Sequence, residues 1–338
     1  MRYKTVTRFL AATLVLCMLC TSLLSCGKAK PIKASEEDLT VVGTVAGHEV
    51  LYEELRYLTR KYRDAMKVTY GENIWDTSES REQYRAELEK AVLNNITANY
   101  AVLALCDEVQ ISHTEEAIET AVQEYVQETV DELGSFKGYK AQLANEYLTD
   151  HVYRFMLAIT FCESELLYVY TDDLGLIETD ENKIYDLIMG GEFARTLHIY
   201  IENNEGDDVE ENRALAQSML TKLEEGTSFN TLIGRYSEDF YMTTTSGYYF
   251  THGEMIKEYE EAAFALEMGG TSDVVETSTG FYIIRRLEPD TEYVLKNLPA
   301  LIDQYQYAML YNMIDEKQQE LTIELNDYGK SLDLTTIQ

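Results

Sequence analysis

The hydrophobic pattern of this chain changes its period near Phe193, and this change is what most limits the possible folds. From Arg81 to Tyr170, apolar residues recur at every third or fourth position, which is the spacing of one face of an α-helix. Leu197, Ile199 and Ile201 instead alternate with more polar residues, which is the spacing of a half-buried β-strand. We therefore predict an α+β protein in which a helical region precedes a small mixed unit.

The mixed unit is predicted to contain a small antiparallel sheet flanked by helices. Its first strand holds Leu197, and a second strand is expected from Gly280 to Leu287, with Phe281 and Tyr282 on opposite faces. Helices are expected at about Glu210–Glu225, Phe229–Tyr236 and Tyr259–Leu266. A strand, helices and a further strand in so short a segment make a compact α+β unit.

The C-terminal segment is predicted to be a helix that packs on the N-terminal helical region. Apolar residues recur at steps of three and four at Leu298, Ile302, Tyr305, Met309 and Met313. The helix expected from about Pro299 to Leu325 therefore has an apolar face that needs a partner. The helical region ahead of the mixed unit is the candidate, which would make the mixed unit an insertion in one helical domain.

The N-terminus has the features of a targeting segment. Arg2, Lys4 and Arg8 precede an apolar run from Phe9 to Leu24, which as a helix would rise about 24 Å, less than a bilayer core of about 30 Å. The run ends in a small residue followed by Cys26, which resembles a bacterial lipobox. The resemblance implies cleavage before Cys26 and a lipid on its sulfur. An ordinary signal peptide and an uncleaved anchor are the alternatives.

Two cysteines follow Cys26, too few for a disulfide framework. Cys106 and Cys162 each lie in an apolar helical run, which favours buried free thiols. No His or Cys cluster has the spacing of metal ligands, so neither a metal nor any other cofactor is expected.

The net charge of the chain is −32 at pH 7, because 60 Asp and Glu outnumber 28 Lys and Arg. A surface this acidic repels phosphate, which argues against nucleic acid and anionic lipid as partners of the folded part. It can keep the protein soluble as a solvated surface, or it can attract basic client chains. The composition leaves both interpretations open.

The segment Glu192–Glu288 resembles the parvulin family of peptidyl-prolyl isomerases, because several motifs occur in the order that this family has. The matching stretches are Leu197-His198-Ile199-Tyr200-Ile201, Tyr236-Ser237-Glu238-Asp239, Phe250-Thr-His-Gly253-Glu-Met255, Tyr259-Glu-Glu-Ala-Ala-Phe264-Ala-Leu266 and Thr279-Gly280-Phe281-Tyr282-Ile283-Ile284. The resemblance implies an isomerase that accelerates rotation about X-Pro bonds and needs no cofactor.

The flanks of this segment resemble those of the SurA and PrsA folding factors. Thr44-Val45-Ala46-Gly47, followed by a helix from Tyr52, is similar to the start of their N-terminal module. Together with the lipobox, these features imply a PrsA-type lipoprotein foldase. The expected organisation is a signal peptide (1–25), a tether (26–40), a helical chaperone-like domain (41–191), a parvulin-type domain (192–289) and a C-terminal helix that packs on the helical domain (290–338).

The resemblance implies an apolar pocket for the proline ring. Met255 and Tyr259 fall at the positions that line this pocket in the family, with Phe250 close by. A spacing of four residues would place Met255 and Tyr259 on one face of a helix. Met and aromatic residues at such spacing also occur in plain hydrophobic cores, so both interpretations stand at this point.

The resemblance also implies the polar residues of the catalytic site, namely His198, Asp239, Thr279 and Tyr282. Asp239 could act on the prolyl amide electrostatically, and Thr279 matches a hydroxyl position that bonds to a pair of histidines. The alternatives are that His198 only holds the fold of the site and that Asp239 caps its turn.

Two departures from the family pattern leave catalysis open. Most active members have His where this chain has Tyr282, so a second ring nitrogen and the contact between two histidines are missing. The loop that includes Gly247–Phe250 is shorter than its counterpart in the family. Both departures favour the alternative of a non-catalytic chaperone, which would bind unfolded secreted clients with a degenerate parvulin domain.

The expected function is that of an extracytoplasmic peptidyl-prolyl isomerase that assists the folding of secreted proteins. The protein would be anchored to the bacterial cell membrane by the lipid on Cys26, and its partners would be unfolded or newly secreted clients with X-Pro bonds. The acidic stretch Glu202–Glu211 would repel phosphate, so no preference for phosphorylated clients is expected. An assembly or adhesion lipoprotein that uses the fold as a scaffold is a further alternative.

Overall fold

The structure is a computed structural model that describes residues 33–204, 208–242 and 247–337. The predicted signal peptide, Cys26 and the first part of the tether lie outside these residues. The chain divides into two compact units: the first unit comprises the residues up to Val169 and from Ile314 onward, and the second unit comprises Tyr170–Met313. The first unit thus contains residues from both sides of the second unit in the sequence. Among the described helices, none is long and apolar enough to span a membrane.

The elements are numbered in chain order. The strands are β1 (Val41–Val45), β2 (His48–Leu51), β3 (Ala194–Glu202), β4 (Tyr248–Phe250), β5 (Val275–Thr277), β6 (Gly280–Leu287) and β7 (Glu324–Leu325). The helices are α1 (Tyr52–Tyr70), α2 (Ser78–Glu108), α3 (Glu116–Glu132), α4 (Phe136–Asn145), α5 (Asp150–Tyr168), α6 (Glu181–Gly190), α7 (Val209–Glu224), α8 (Phe229–Tyr236), α9 (Lys257–Ala265), α10 (Thr291–Glu320) and α11 (Asp327–Ser331). A π-helical turn, Val169–Asp173, follows α5.

Strands β1 and β2 form a hairpin at the start of the first unit. Ala46 and Gly47 make its turn with φ of 51° and 88°, and this left-handed pair matches the twist of the two strands. Strand β7 pairs with the other edge of β1, which gives the strand order β2-β1-β7. Strand β7 passes close to Gly43: a Cβ at this position would be 2.8 Å from the Glu324 carbonyl oxygen.

The helices of the first unit bury the apolar faces that the sequence predicts. Helix α2 packs against α1 and α5, and α3 packs against α5. Their buried side chains include Leu55, Leu88, Ile96, Leu103, Ile118, Val126 and Leu166. Cys106 and Cys162 are buried free thiols, which confirms the prediction for both. The last turns of α10 belong to this unit, where the Gln318 amide donates to the Asn94 carbonyl oxygen of α2 at 2.8 Å.

The sheet of the second unit is antiparallel, with the strand order β4-β3-β6-β5. One face packs against α7 and α8 through Leu197, Ile199, Ile201, Phe281 and Ile283. The other face packs against α9 through Ala194, Phe250, Tyr259, Ala263 and Ile284. Because side chains alternate along a strand, Thr196, His198 and Tyr200 of β3 lie on the face toward α9. The predicted α+β fold with a small antiparallel sheet is confirmed.

A third apolar cluster extends the second unit beyond the predicted limits of 192–289. Ile184 and Ile188 of α6 pack with Phe193, and the same cluster contains Val294 and Leu301 of α10. All five side chains are almost fully buried. The compact unit therefore starts before β3 and includes the first part of α10.

Helix α10 runs from Thr291 to Glu320, whereas the hydrophobic spacing predicted a helix from about Pro299 to Leu325. The predicted start is wrong because the Asp290 carboxylate accepts a hydrogen bond from the Tyr293 N–H at 3.0 Å, which caps an earlier first turn. Pro299 lies in the interior of the helix instead of its first turn.

Candidate active site

The candidate site is built around His198, which lies on β3 near the middle of the sheet of the second unit. Its side chain is 4% exposed, and both of its ring nitrogens have a partner. Nδ1 is 3.0 Å from the Tyr259 hydroxyl, and Nε2 is 2.9 Å from Oδ2 of Asp239. Burial lowers the pKa of His198 to about 4, although the neighbouring Asp239 favours the charged form. The imidazole is therefore neutral at pH 7.

Asp239 reaches His198 because the segment after α8 is hydrogen-bonded to the backbone of β3. The Ser237 hydroxyl accepts from the Tyr200 N–H at 3.1 Å, and the Glu238 N–H donates to the Tyr200 carbonyl oxygen at 2.9 Å. Oδ1 of Asp239 accepts the N–H of Tyr241 at 2.8 Å, which is a turn-capping contact. The same carboxylate thus caps its turn and contacts His198, so the two interpretations of Asp239 do not exclude each other.

Tyr248 is a site residue that the sequence analysis missed. Its hydroxyl donates to Oδ2 of Asp239 at 3.1 Å, and its ring lies 5.7 Å from that of His198. It lies directly opposite Thr196 in the pairing of β4 with β3. The sequence places Tyr248 only in a loop that departs from the family, and the register that brings it to Asp239 is a tertiary feature.

Tyr259 of α9 is fully buried, and its hydroxyl contacts two residues of β3. This hydroxyl is 2.8 Å from Oγ1 of Thr196 as well as 3.0 Å from Nδ1 of His198. Burial raises the pKa of Tyr259 far above its ordinary value, so the hydroxyl keeps its proton. Thr196, which is also fully buried, is a second residue that the sequence analysis missed.

The three residues predicted for the proline pocket form one apolar cluster beside His198. Phe250 and Tyr259 are 2% and 0% exposed, with ring centroids 5.8 Å apart. Met255 packs against the same cluster and is half-buried, so it is the member of the three that solvent can reach. That these residues receive a proline ring stays a prediction.

Tyr282 of β6 contacts His198 through its ring. The two rings meet edge to face with centroids 5.2 Å apart. Tyr282 also stacks on Tyr200 at 4.4 Å and meets Tyr259 edge to face at 5.1 Å. Burial raises the pKa of Tyr282 to about 12, although a hydrogen bond with Thr279 lowers it. The Thr279 hydroxyl lies 3.2 Å from Oγ1 of Thr277, and the Thr279 carbonyl oxygen accepts from the Tyr200 hydroxyl at 2.8 Å. A catalytic role of Thr279 stays a prediction.

Two large aromatic side chains are almost completely exposed next to this site. Phe240 and Tyr241 directly follow Asp239 in the chain and are 84% and 85% exposed. The sequence contains no signal for this exposure, because an aromatic pair after a turn is more often buried.

A separate cavity of about 1080 Å³ lies in the first unit, between α3, α5 and the β2–α1 junction. Its apolar lining includes Leu51, Tyr100, Val122, Phe155 and Ala158, and its acidic lining includes Glu54, Glu116, Glu119, Glu124 and Glu128. Burial raises the pKa of Glu54 to about 7, against the opposing effect of hydrogen bonds from the Leu51 N–H and the Tyr100 hydroxyl. Within the described ranges, no group of three or more His, Cys, Asp or Glu could hold a metal ion.

Two family models match this chain. A SurA-like N-terminal domain matches residues 1–167, and a PPIC-type PPIase domain matches residues 183–290. The second match contains His198, Asp239, Met255, Tyr259, Thr279 and Tyr282.

Several curated relatives of this chain are named foldase protein PrsA. The relative from Caldanaerobacter subterraneus subsp. tengcongensis is 24% identical over 283 residues, which cover 82% of this chain and 82% of that protein. The relative from Halalkalibacterium halodurans is 27% identical over 252 residues, which cover 71% of this chain and 62% of that protein. The crystal structure of a peptidylprolyl isomerase (PrsA) from Bacillus anthracis is 18% identical, with a TM-score of 0.36 and coverage of 65% of this chain and 94% of that one.

Proposed function

The chain belongs to the foldases that join a SurA-like N-terminal domain to a PPIC-type peptidyl-prolyl isomerase domain, and from this premise we propose how it works. It isomerises X-Pro bonds in unfolded secreted proteins, with the site around His198. The observation that carries the proposal is the contact between His198 and Asp239, in which Nε2 is 2.9 Å from Oδ2. This pair lies next to the apolar cluster that includes the half-buried Met255, in the segment that matches the isomerase family.

Catalysis of this reaction requires no covalent step. Rotation about X-Pro is slow because amide resonance gives a barrier of about 18–20 kcal/mol, and a catalyst needs only to favour the twisted amide over the planar one. A planar amide carries more negative charge on its oxygen than a twisted amide does. A carboxylate beside that oxygen therefore destabilises the planar form relative to the transition state.

Asp239 is the group that we propose for this electrostatic role. Its carboxylate side chain is 18% exposed, so a bound peptide can approach it. His198 and Tyr248 both donate to Oδ2 and hold the carboxylate in place, while Oδ1 is held by the Tyr241 N–H. Met255 would contact the proline ring, because it is the exposed edge of the apolar cluster next to His198.

A protease-coupled assay on a proline-containing tetrapeptide tests the proposal, using the soluble chain from Gly27. Asp239→Asn and Met255→Ala should each lower kcat/KM by about 10-fold or more, as expected for the loss of one preorganised group. Asp273→Asn and Met268→Ala are matched controls, because both side chains are exposed on the same unit. Turnover at the uncatalysed rate by the unaltered chain would rule the isomerase out.

We also propose that the protein acts outside the cytoplasm, anchored by a lipid on Cys26. The support is the basic N-terminal residues, the short apolar run and the small residue before Cys26. In a bacterial host, Cys26→Ser should move the protein from the detergent phase to the aqueous phase. Cys20→Ser, inside the predicted signal peptide, should not. Partition of both variants with the detergent would contradict the anchor.

The first unit is proposed to hold client chains while the second unit acts on them. The support is the large cavity with an apolar lining and several glutamates, which suits unfolded segments that carry apolar and basic residues. The net charge of −32 argues in the same direction and against nucleic acid as a partner. A fluorescent cationic, aromatic peptide should bind the soluble chain more tightly than its Lys→Glu version, and equal binding of the two would contradict this role.

A further inference from the structure

Both nitrogens of His198 are already occupied, and Tyr282 occupies neither of them. Nδ1 is bonded to the Tyr259 hydroxyl and Nε2 to Asp239. Tyr282 meets the imidazole edge to face, with ring centroids 5.2 Å apart. The residue that stands where most active relatives have a second histidine thus makes no hydrogen bond to the first one.

The direction of each hydrogen bond follows from the chemistry of the partners. Asp239 is a carboxylate that accepts from the Tyr248 hydroxyl and the Tyr241 N–H, so the His198 Nε2 must carry a proton and donate to it. A neutral imidazole with its proton on Nε2 has a lone pair on Nδ1. The Tyr259 hydroxyl therefore donates to Nδ1.

The same reasoning extends the chain of hydrogen bonds by one residue. Because the proton of the Tyr259 hydroxyl points at His198, its oxygen is left to accept from the Thr196 hydroxyl, 2.8 Å away. The donors then run in one direction, from Thr196 to Tyr259 to His198 to Asp239. Thr196, His198 and Tyr259 are all buried, so no water competes for these bonds.

We propose that Tyr259 is the positioning residue of this site, and that its hydroxyl does for His198 what a ring nitrogen at position 282 would otherwise do. The inference rests on the proposed isomerase function and deepens it. Tyr259 holds His198 in the tautomer with the proton on Nε2, and His198 in turn holds the carboxylate of Asp239. Tyr282 can then stand in place of the usual histidine without loss of the site, and it does not indicate a degenerate isomerase domain.

The competing explanation is that the Tyr259 hydroxyl merely satisfies Thr196 in the core. This explanation predicts no effect of Tyr259 on the nitrogens of His198. Because the rings of Tyr259 and Tyr282 meet edge to face at 5.1 Å, packing alone also couples substitutions at the two positions, so the nitrogen signals of His198 are what separates the two explanations.

The test is ¹⁵N NMR of the histidine ring nitrogens in the soluble chain from Gly27, together with the tetrapeptide assay. In the unaltered chain, Nε2 of His198 should carry the proton and Nδ1 should show the shift of a hydrogen-bonded acceptor. Tyr259→Phe should move the Nδ1 signal toward that of an unbonded acceptor and lower kcat/KM by about 3- to 10-fold, the usual range for one lost hydrogen bond. Tyr185→Phe, a half-buried tyrosine of α6, is the matched control and should change neither quantity.

A double-mutant cycle tests whether a histidine at position 282 can replace the Tyr259 hydroxyl. In the Tyr282→His background a second imidazole is available to donate to His198, so Tyr259→Phe should cost less than half of its effect in the unaltered background. Equal losses in both backgrounds would overturn the proposal. So would a proton on Nδ1 of His198 in the unaltered chain, a measurement that needs no variant to fold.

The two proposals fail differently. A chain that shows the expected nitrogen signals but no turnover would refute the isomerase function and leave the role of Tyr259 toward His198 in place. A chain that turns over normally after Tyr259→Phe, with unchanged nitrogen signals, would refute the role of Tyr259 and leave the isomerase in place.

Discussion

Stability should depend on pH through His198, and a His198→Gln variant should remove this dependence. The pKa of a histidine in an unfolded chain is 6.5, and burial lowers that of folded His198 to about 4. Between these two values the unfolded chain binds a proton that the folded chain does not. The free energy of unfolding therefore falls as the pH drops from 6.5 to 4, and no further loss from His198 occurs below that range.

The size of the loss follows from the size of the shift. One pKa unit corresponds to 1.36 kcal/mol, so a shift from 6.5 to about 4 amounts to about 3 kcal/mol, as an order of magnitude. Gln cannot titrate, yet its amide can still donate to Asp239. Between pH 7 and pH 4, His198→Gln should therefore lose about 3 kcal/mol less of its unfolding free energy than the unaltered chain.

Urea unfolding of the soluble chain, followed by fluorescence at several pH values, measures this difference. Other titrating groups are common to both proteins and cancel in the comparison. His252→Gln serves as the control for replacing a histidine on the same unit, because the His252 side chain is 51% exposed. The reasoning is refuted if His198→Gln and the unaltered chain lose the same unfolding free energy over this range.

Two further outcomes concern buried residues of each unit. Glu54→Gln should stabilise the chain more at pH 8 than at pH 5. Burial raises the pKa of the Glu54 carboxyl to about 7, so this carboxyl lowers the free energy of unfolding as the pH rises from 4.5 to 7. Urea unfolding at both pH values checks this. Ile199→Ala, at a side chain 1% exposed, should cost about 3 kcal/mol in the same assay, whereas Leu295→Ala, 58% exposed, should cost under about 0.5 kcal/mol.

The secondary structure was predictable from local patterns. The alternation around Leu197, Ile199 and Ile201 correctly identified β3, and the predicted helices that correspond to α7, α8 and α9 agree with the structure to within a few residues. These patterns work because a strand or helix buries one face, whatever it packs against. The start of α10 was missed because a single side-chain contact, from Asp290 to the Tyr293 N–H, outweighs the preference of Pro299 for a first turn.

The extent of the second unit could not be read from the sequence. The spacing predicted that α6 belongs to the region before β3 and that the C-terminal helix packs on that region. In the structure, Ile184 and Ile188 share a core with Val294 and Leu301, more than a hundred positions further along the chain. Periodicity identifies an apolar face but does not say which other face it meets.

The sequence by itself determined which residue types the candidate site offers, because the order of its motifs identifies His198, Asp239, Met255 and Tyr282. Only the tertiary structure decided how they are connected. The hydroxyls of Tyr248 and Tyr259 come from β4 and α9, and they meet Asp239 and His198 because of strand register and helix placement. A hydrogen bond between side chains some sixty positions apart depends on positions accurate to a fraction of an ångström, and no local pattern encodes such a distance.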